Sequence, residues 1–212
     1  MVTIEEIQHK YETAILRSQE LYANRKVKDT AGAVRYTKGK IVEDITKDLI
    51  RISWSKVSSD EARLKIDKKK IPIKTNGEIY KLSQDLHVYI DKVFRIGVEC
   101  KSYTEVAMYK RVLVDTKLLK RAVPSISVFF IVQLENFLGG DYGVQIEAKG
   151  SDSVITLNRI CPQVNIKVIT LLDGNRDIKK PLHILEYFKP LRRERLDYAI
   201  EQFRHAMLID QK

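Results

Sequence analysis

The spacing of apolar residues predicts two helices in the first quarter of the chain. Over residues 3–27 the apolar positions recur at intervals of three and four, and Thr3 with Glu6 resembles a capping box. Residues 38–53 carry a second apolar stripe, made of Ile41, Ile45, Leu49 and Ile52. The polar, lysine-rich stretch 55–78 then predicts a short helix followed by a loop.

From residue 85 the apolar pattern changes to a period of two. Such alternation predicts two β-strands, and residues 91–93 between them are few enough to form the turn of a hairpin. The apolar residues assigned to one face are Leu86, Val88, Ile90, Phe94, Ile96, Val98 and Cys100. The sequence therefore predicts a hairpin that buries this face in the core.

Helix and strand patterns alternate along the rest of the chain. An amphipathic helix is predicted over 104–121, and the apolar run at 128–132 predicts a strand buried on both faces. The later predicted elements are a hairpin of two short strands, 143–148 and 153–158, an interior strand, 164–172, and a closing helix, 191–208.

The order of these elements predicts an α/β fold with a mixed central β-sheet flanked by helices. We expect one domain over residues 1–212, because the chain shows no internal repeat and no clear domain boundary. Its expected parts are a helical N-terminal part (1–55), a hairpin and sheet (79–173) and a C-terminal helix (191–208).

Charge and composition narrow the class of partner. The chain has 38 Lys and Arg against 28 Asp and Glu, and a net charge of +10 favours a polyanion such as nucleic acid. No apolar run approaches the ~20 residues of a membrane span, and the charged N-terminus lacks a signal-peptide core, so we expect a cytoplasmic protein. Two cysteines, Cys100 and Cys161, cannot form a disulfide framework or a four-ligand zinc site.

The tripeptide acid-x-Lys occurs six times, so only its structural context can make it informative. Glu99-x-Lys101 closes the predicted hairpin. The main rival, Glu147-x-Lys149, follows a predicted strand (126–134) that has no carboxylate where a metal would need one. The other four tripeptides begin at Asp67, Asp115, Asp177 and Asp210.

The hydrophobic pattern also fixes the register of the hairpin. With a turn at 91–93, opposite residues bring Asp85 across from Glu99, and Lys101 lies on the same face. Gly97, opposite His87, is expected to leave that face open beside the charged cluster, and His87 itself is interpreted as a surface or substrate-side residue.

Two interpretations of these charges remain open at this point. Two carboxylates and a lysine could surround one hard cation and its water. They could also form an exposed cross-strand ladder, which adds only ~0.2–1 kcal/mol. Asp91, although closer to Glu99 in sequence, lies at the hairpin tip about 20 Å away and is rejected as a ligand.

Two segments, 83–90 and 96–105, resemble the core of a known family. Together with the amphipathic helix that follows, they are similar to the PD-(D/E)XK nuclease superfamily, and in particular to type II restriction endonucleases. Gln84 stands where the motif usually has proline. The resemblance implies a restriction-endonuclease-like core and Mg²⁺-dependent cleavage of double-stranded DNA by a homodimer.

The resemblance also implies roles for individual residues. Asp85, Glu99 and the main-chain carbonyl of Cys100 would bind Mg²⁺, and Lys101 would orient the attacking water. The stretch 38–43 resembles the family's glutamate-bearing helix and nominates Glu43, which lies off the apolar stripe and faces either a cleft or solvent. By position alone, the expected DNA contacts are Lys38, Lys40, Ser102 and Tyr103.

Other functions remain possible on the sequence alone. The chain could be a repair or junction-resolving nuclease of the same fold. It could also be a non-catalytic basic DNA-binding protein whose charged hairpin is incidental.

Overall fold

The computed structural model describes residues 2–23, 30–75, 77–140, 142 and 151–209, with the backbone alone at 30–36 and 75. The predicted strand 143–148 and the rival pair Glu147 and Lys149 lie outside the described residues. No described helix is both long enough and apolar enough to cross a membrane.

The first two helices are α1 (Ile4–Ala23) and α2 (Thr30–Ser55). The capping box at the start of α1 is confirmed: the Thr3 N–H donates to the Glu6 carboxylate at 2.9 Å, and the Glu6 N–H donates to the Thr3 hydroxyl at 3.2 Å. The apolar stripe of α2 is buried as predicted. The helix begins earlier than residue 38, since a single glycine such as Gly32 costs only about 1 kcal/mol in a helix.

Seven strands in the described residues form two sheets. They are β1 (Leu64–Asp67), β2 (Ile71–Thr75), β3 (Glu78–Leu82), β4 (Leu86–Ile90), β5 (Val93–Thr104), β6 (Val128–Asn136) and β7 (Ile166–Thr170). The main sheet has the order β1-β4-β5-β6-β7, antiparallel from β1 to β5 and parallel from β5 to β7. Strands β2 and β3 form a separate hairpin. The central sheet is therefore mixed, as predicted.

The loop expected within 55–78 is wrong. A short 3-10 helix (Glu61–Arg63) leads into the edge strand β1, and β2 and β3 follow. Leu64 and Ile66 pack against the core, whereas Lys65 between them is exposed. Two apolar residues among lysines are enough to form this strand, because an edge strand can tolerate charge on its open side.

Three further helices are α3 (Val106–Ala122), α4 (Asp152–Ile160) and α5 (Arg193–Leu208). The predicted strand 153–158 is wrong, because these residues form α4. Val154 and Leu157 lie three residues apart and pack on the same core. The β-branched Ile155 and Thr156 favoured a strand, but tertiary packing outweighs such local preferences.

The main sheet separates two apolar cores. The first core lies on the side of α1, α2 and α5 and contains Trp54, Phe130 and Phe203. The second lies on the side of α3 and α4 and contains Tyr109 and Phe129. Because strand side chains alternate, neighbouring residues of β6 serve opposite cores. All of β6 is buried, which confirms the prediction of a strand covered on both faces.

The register of the β4–β5 hairpin is as predicted near its open end. The observed pairs there are Leu86 with Val98, His87 with Gly97 and Val88 with Ile96. The residues of the predicted apolar face are buried together in the first core, with the exception of Phe94. This register places the residue before β4 beside the second half of β5.

The tip of the hairpin differs from the prediction. A register shift pairs Tyr89 with Phe94, whereas the predicted turn at 91–93 requires Ile90 to pair with Phe94, so the predicted turn is wrong. The turn has only two central residues, Asp91 and Lys92, with φ of 51° and 65°, as a type I′ turn requires. The shift also directs Phe94 into the second core.

Candidate active site

Asp85, Glu99 and Lys101 lie together where β4 begins and β5 nears its end. The Lys101 ammonium donates to Glu99 Oε2 at 2.6 Å and to Asp85 Oδ2 at 3.2 Å. The Cys100 N–H also donates to Asp85 Oδ2, at 2.9 Å. The three charged side chains are only 14–23% exposed, so they form a half-enclosed cluster and not a solvated ladder.

Lys68 is a fourth member of this cluster. It follows the edge strand β1, whose Asp67 pairs with His87 of β4. Its ammonium lies 3.3 Å from Asp85 Oδ1. The sequence predicts only a lysine-rich stretch at Lys68, because the pairing of β1 with β4 is what brings this residue to the site.

Glu43 lies at the margin of the cluster. Its carboxylate accepts a hydrogen bond from Lys47 at 2.6 Å and lies 3.9 Å from the Lys68 ammonium and 3.7 Å from that of Lys40. Lys68 thus stands between Glu43 and Asp85. In the described part of the chain, no three His, Cys, Asp or Glu side chains converge as metal ligands, so Glu43 does not join the carboxylate pair directly.

The two carboxylates have different proton affinities. Burial opposes the charged form of Asp85, but Lys101, the Cys100 N–H and Lys68 together hold its pKa below the usual value. Burial raises the pKa of Glu99, and the charge of Asp85 adds to this rise although Lys101 opposes it. Burial also disfavours charge on Lys101, yet Glu99 and Asp85 keep its pKa above the usual value.

The donor set of this cluster fits a hard divalent cation. Glu99 and Asp85 already direct one oxygen each toward a single positive group, the Lys101 ammonium. Mg²⁺ prefers oxygen ligands and is commonly held by one or two carboxylates together with water. The arrangement can therefore concentrate positive charge, bound water and a protonated lysine at one point.

The prediction of an open surface beside Gly97 is wrong, because the side chains of Gln84 and Phe129 fill this space. A Cβ on Gly97 would lie 1.8 Å from Gln84 Oε1 and 2.8 Å from Phe129 Cδ1. His87 is fully buried, so its interpretation as a surface residue is also wrong. Its ring stacks on Phe94 at 4.5 Å, and burial lowers its pKa to about 4.

Gln84 and His87 together fix the backbone around Asp85. The Gln84 N–H donates to His87 Nε2 at 3.2 Å, while the Gln84 side chain covers Gly97. Since Asp85 lies between these two anchored residues, its direction toward Lys101 is set by packing. A pattern of single residues gives no signal for such a contact.

The residues expected to contact DNA occupy different surroundings. Lys40 lies 3.0 Å from Asp44 on α2, and Lys38 contacts His183 Nδ1 at 3.3 Å. Ser102 is half-buried on β5. The Tyr103 ring lies beneath the Arg176 guanidinium at 3.7 Å. Asp91, rejected as a ligand, pairs with Arg63 at the hairpin tip.

Comparison with known proteins identifies the family. No protein-family model matches the chain. The chain is 38% identical over 199 residues to the type II restriction enzyme DdeI of Desulfomicrobium norvegicum, an alignment that covers 83% of this chain and 82% of the relative. The chain therefore belongs to the family of type II restriction enzymes that includes DdeI.

A solved structure described as the native BbvCI A2B2 tetramer at low resolution overlaps more weakly. The overlap covers 95% of this chain and 90% of that one, with 10% identity and a TM-score of 0.42.

Substitution of Gly97 tests the packing that positions Asp85. We expect Gly97→Ala to lower the free energy of unfolding by about 1–3 kcal/mol, because the new methyl group overpacks the site. The same substitution at Gly39 on α2, where an added Cβ would have no neighbour within 4 Å, should be neutral or stabilising by about 0.5–1 kcal/mol. Chemical denaturation measures both variants. A Gly97→Ala protein as stable as wild type would contradict the packing, and adding Gln84→Ala should recover part of the loss.

The buried His87 should make folding sensitive to acid. Its pKa of about 4 lies below the ordinary value near 6.5 of an unfolded chain, so its stabilisation is complete above pH 6.5 and decreases as the pH falls toward 4. Between pH 7 and 4.5 this loss is about 2 kcal/mol. Denaturation at pH 7 and at pH 4.5 measures the loss of unfolding free energy between them. This loss should be about 2 kcal/mol smaller in His87→Phe than in wild type. The exposed His9→Gln serves as control, and equal pH dependence in wild type and His87→Phe would refute the assignment.

Proposed function

We propose that this chain is a type II restriction endonuclease that hydrolyses phosphodiester bonds of double-stranded DNA at a specific site, with Mg²⁺ as cofactor. It would act within a restriction-modification system. Membership in the family of DdeI supports the class of enzyme. The observation that carries the chemistry is the convergence of Asp85 and Glu99 on Lys101.

The proposed magnesium ligands are the carboxylates of Asp85 and Glu99 and the main-chain carbonyl of Cys100. When bound, Mg²⁺ supplies Lewis-acid activation of a phosphoryl oxygen and of water. The lowered pKa of Asp85 favours the ionised form of one ligand. The raised pKa of Glu99 makes this residue the first of the pair to lose its charge as the pH falls.

Lys101 is proposed to orient the attacking water and to offset charge on the transition state. Its raised pKa means that it carries its proton at neutral pH and acts as a hydrogen-bond donor. Its proton stays on Nζ, so another group or solvent must accept the proton of the water. Lys68 adds a second positive charge at 3.3 Å from Asp85, and Glu43 is proposed to act through Lys68 and Lys47.

Plasmid cleavage tests the proposed reaction. Wild-type protein with Mg²⁺ should convert plasmid into discrete fragments, whereas Asp85→Asn, Glu99→Gln and Lys101→Ala should each lose cleavage by several orders of magnitude. The matched control is Asp115→Asn with Lys117→Ala, a second acid-x-Lys pair, which lies on α3 and should cut as wild type does. A gel shift with intact plasmid would instead support a non-catalytic binding protein, and preference for branched DNA would support a junction-resolving nuclease.

We also propose that residues 1–212 act as one nuclease domain and that two copies form a homodimer. Each chain offers one such carboxylate–lysine cluster among its described residues, and two clusters related by a two-fold axis could cut both strands of a palindromic site. Sedimentation equilibrium should therefore give twice the mass of the chain. A monomer that persists when specific DNA is added would contradict the dimer.

A further inference from the structure

A second charged cluster lies one strand away from the candidate active site. Glu135, near the end of β6, is 4% exposed. The Lys189 ammonium lies 3.6 Å from its Oε1, and Arg176 Nε lies 3.9 Å from its Oε2. Burial raises the pKa of Glu135, and the charges of Lys189, Lys38 and Arg176 oppose this rise. The Tyr103 ring lies beneath the Arg176 guanidinium. These five residues, Lys38, Tyr103, Glu135, Arg176 and Lys189, are called the Glu135 pocket below.

The contacts within the Glu135 pocket are loose for a buried carboxylate. Both cation–oxygen distances are longer than a hydrogen bond, and Glu135 Oε1 has no hydrogen-bond partner within the described residues. Lys189 donates instead to the main-chain oxygen of Asn175 at 3.0 Å. The cations thus lie around Glu135 without forming close, hydrogen-bonded ion pairs with it.

Positive charge exceeds negative charge in the Glu135 pocket. Three cations, Lys38, Arg176 and Lys189, face one carboxylate among the groups described there. The Arg176 and Lys189 side chains are only 22% and 28% exposed, and burial lowers the pKa of Lys38. An excess of half-buried positive charge is unfavourable until an anion joins it.

The Glu135 pocket adjoins the candidate active site along two elements. Tyr103 pairs in register with Glu135, as Lys101 does with Gln133. Lys101 and Tyr103 share one face of β5 and are separated by about 7 Å, which corresponds to about two base-pair rises of a DNA strand. Lys38 likewise belongs to α2, the helix that carries Glu43.

We propose that the Glu135 pocket binds one backbone phosphate of the DNA, one or two nucleotides from the phosphate that is cut at Lys101. The inference rests on the proposed nuclease function. Arg176 and Lys189 are the main ligands, and Arg176 offers a planar fork suited to two phosphate oxygens. Glu135 is a positioning residue that holds the cations around its carboxylate, and the Tyr103 ring supports the guanidinium.

The salt dependence of DNA binding tests this pocket without any cleavage. Binding of the full chain to a short duplex is measured in EDTA over a series of salt concentrations. One phosphate contributes about 0.9 to the slope of log K against log salt. Because Arg176 and Lys189 share one phosphate, the double variant Arg176→Gln with Lys189→Gln should lower the slope by about one, not two.

A matched variant and a rescue control for general loss of charge. Lys179→Gln with Lys180→Gln removes the same charge from exposed residues of the neighbouring segment and should leave the slope unchanged. Arg176→Gln with Lys189→Arg, which keeps one cation at the pocket, should restore most of the slope. Thermal unfolding of each variant separates a loss of fold from a loss of contact.

The outcomes are distinguishable from those of the proposed function. An unchanged slope in the double variant, or an equal decrease in the Lys179/Lys180 control, would overturn the pocket even if wild-type protein cuts plasmid. A decrease of about one with uncut plasmid would support the pocket and reject the nuclease. Binding of inorganic phosphate that depends on Arg176 and Lys189, with no effect on the DNA slope, would assign the pocket to free phosphate and overturn the proposal.

Discussion

The candidate site depends on two carboxylates sharing one lysine. Asp85 and Glu99 would repel one another in a half-buried setting, and the Lys101 ammonium between them offsets that repulsion. The antiparallel register of β4 and β5 brings the three together, and that register follows from the alternating apolar face buried against α2 and its neighbours. Core packing therefore determines where the charges lie.

Much of this arrangement can be predicted from the sequence, because hydrophobic period is a strong local signal. The period of two fixes the pairing of Leu86 with Val98, and hence the approach of Asp85 to Glu99. The mixed sheet flanked by helices follows from the order of the elements. The roles assigned to these residues come from resemblance to a nuclease superfamily and remain proposals.

Contacts between segments that are distant in the chain cannot be predicted from the sequence. Lys68 reaches the site only because β1 pairs with β4, and its lysine-rich surroundings conceal that strand. Gln84 covers Gly97, a packing detail that no pattern of single residues contains. Arg176 and Lys189 reach Glu135 from a segment after β7 without helical or strand periodicity. Such contacts depend on the finished fold.

The family, the cluster and the Glu135 pocket suggest a coherent path for DNA. The carboxylate pair and the pocket lie along one face of β5, while α2 contributes Glu43 and Lys38 to the two places. A strand of DNA that follows β5 would meet both in turn. On the proposed path Mg²⁺ would lie at the carboxylate pair, so the position of the bound ion tests the proposed function most directly.

A crystal structure with Mn²⁺ in place of Mg²⁺ is the most direct test, because anomalous scattering locates the ion. We expect a peak within direct coordination distance of carboxylate oxygens from both Asp85 and Glu99, with Lys101 displaced toward the ion's water. An ion bound elsewhere on the chain, or one that contacts only one of these carboxylates, would contradict the proposed site.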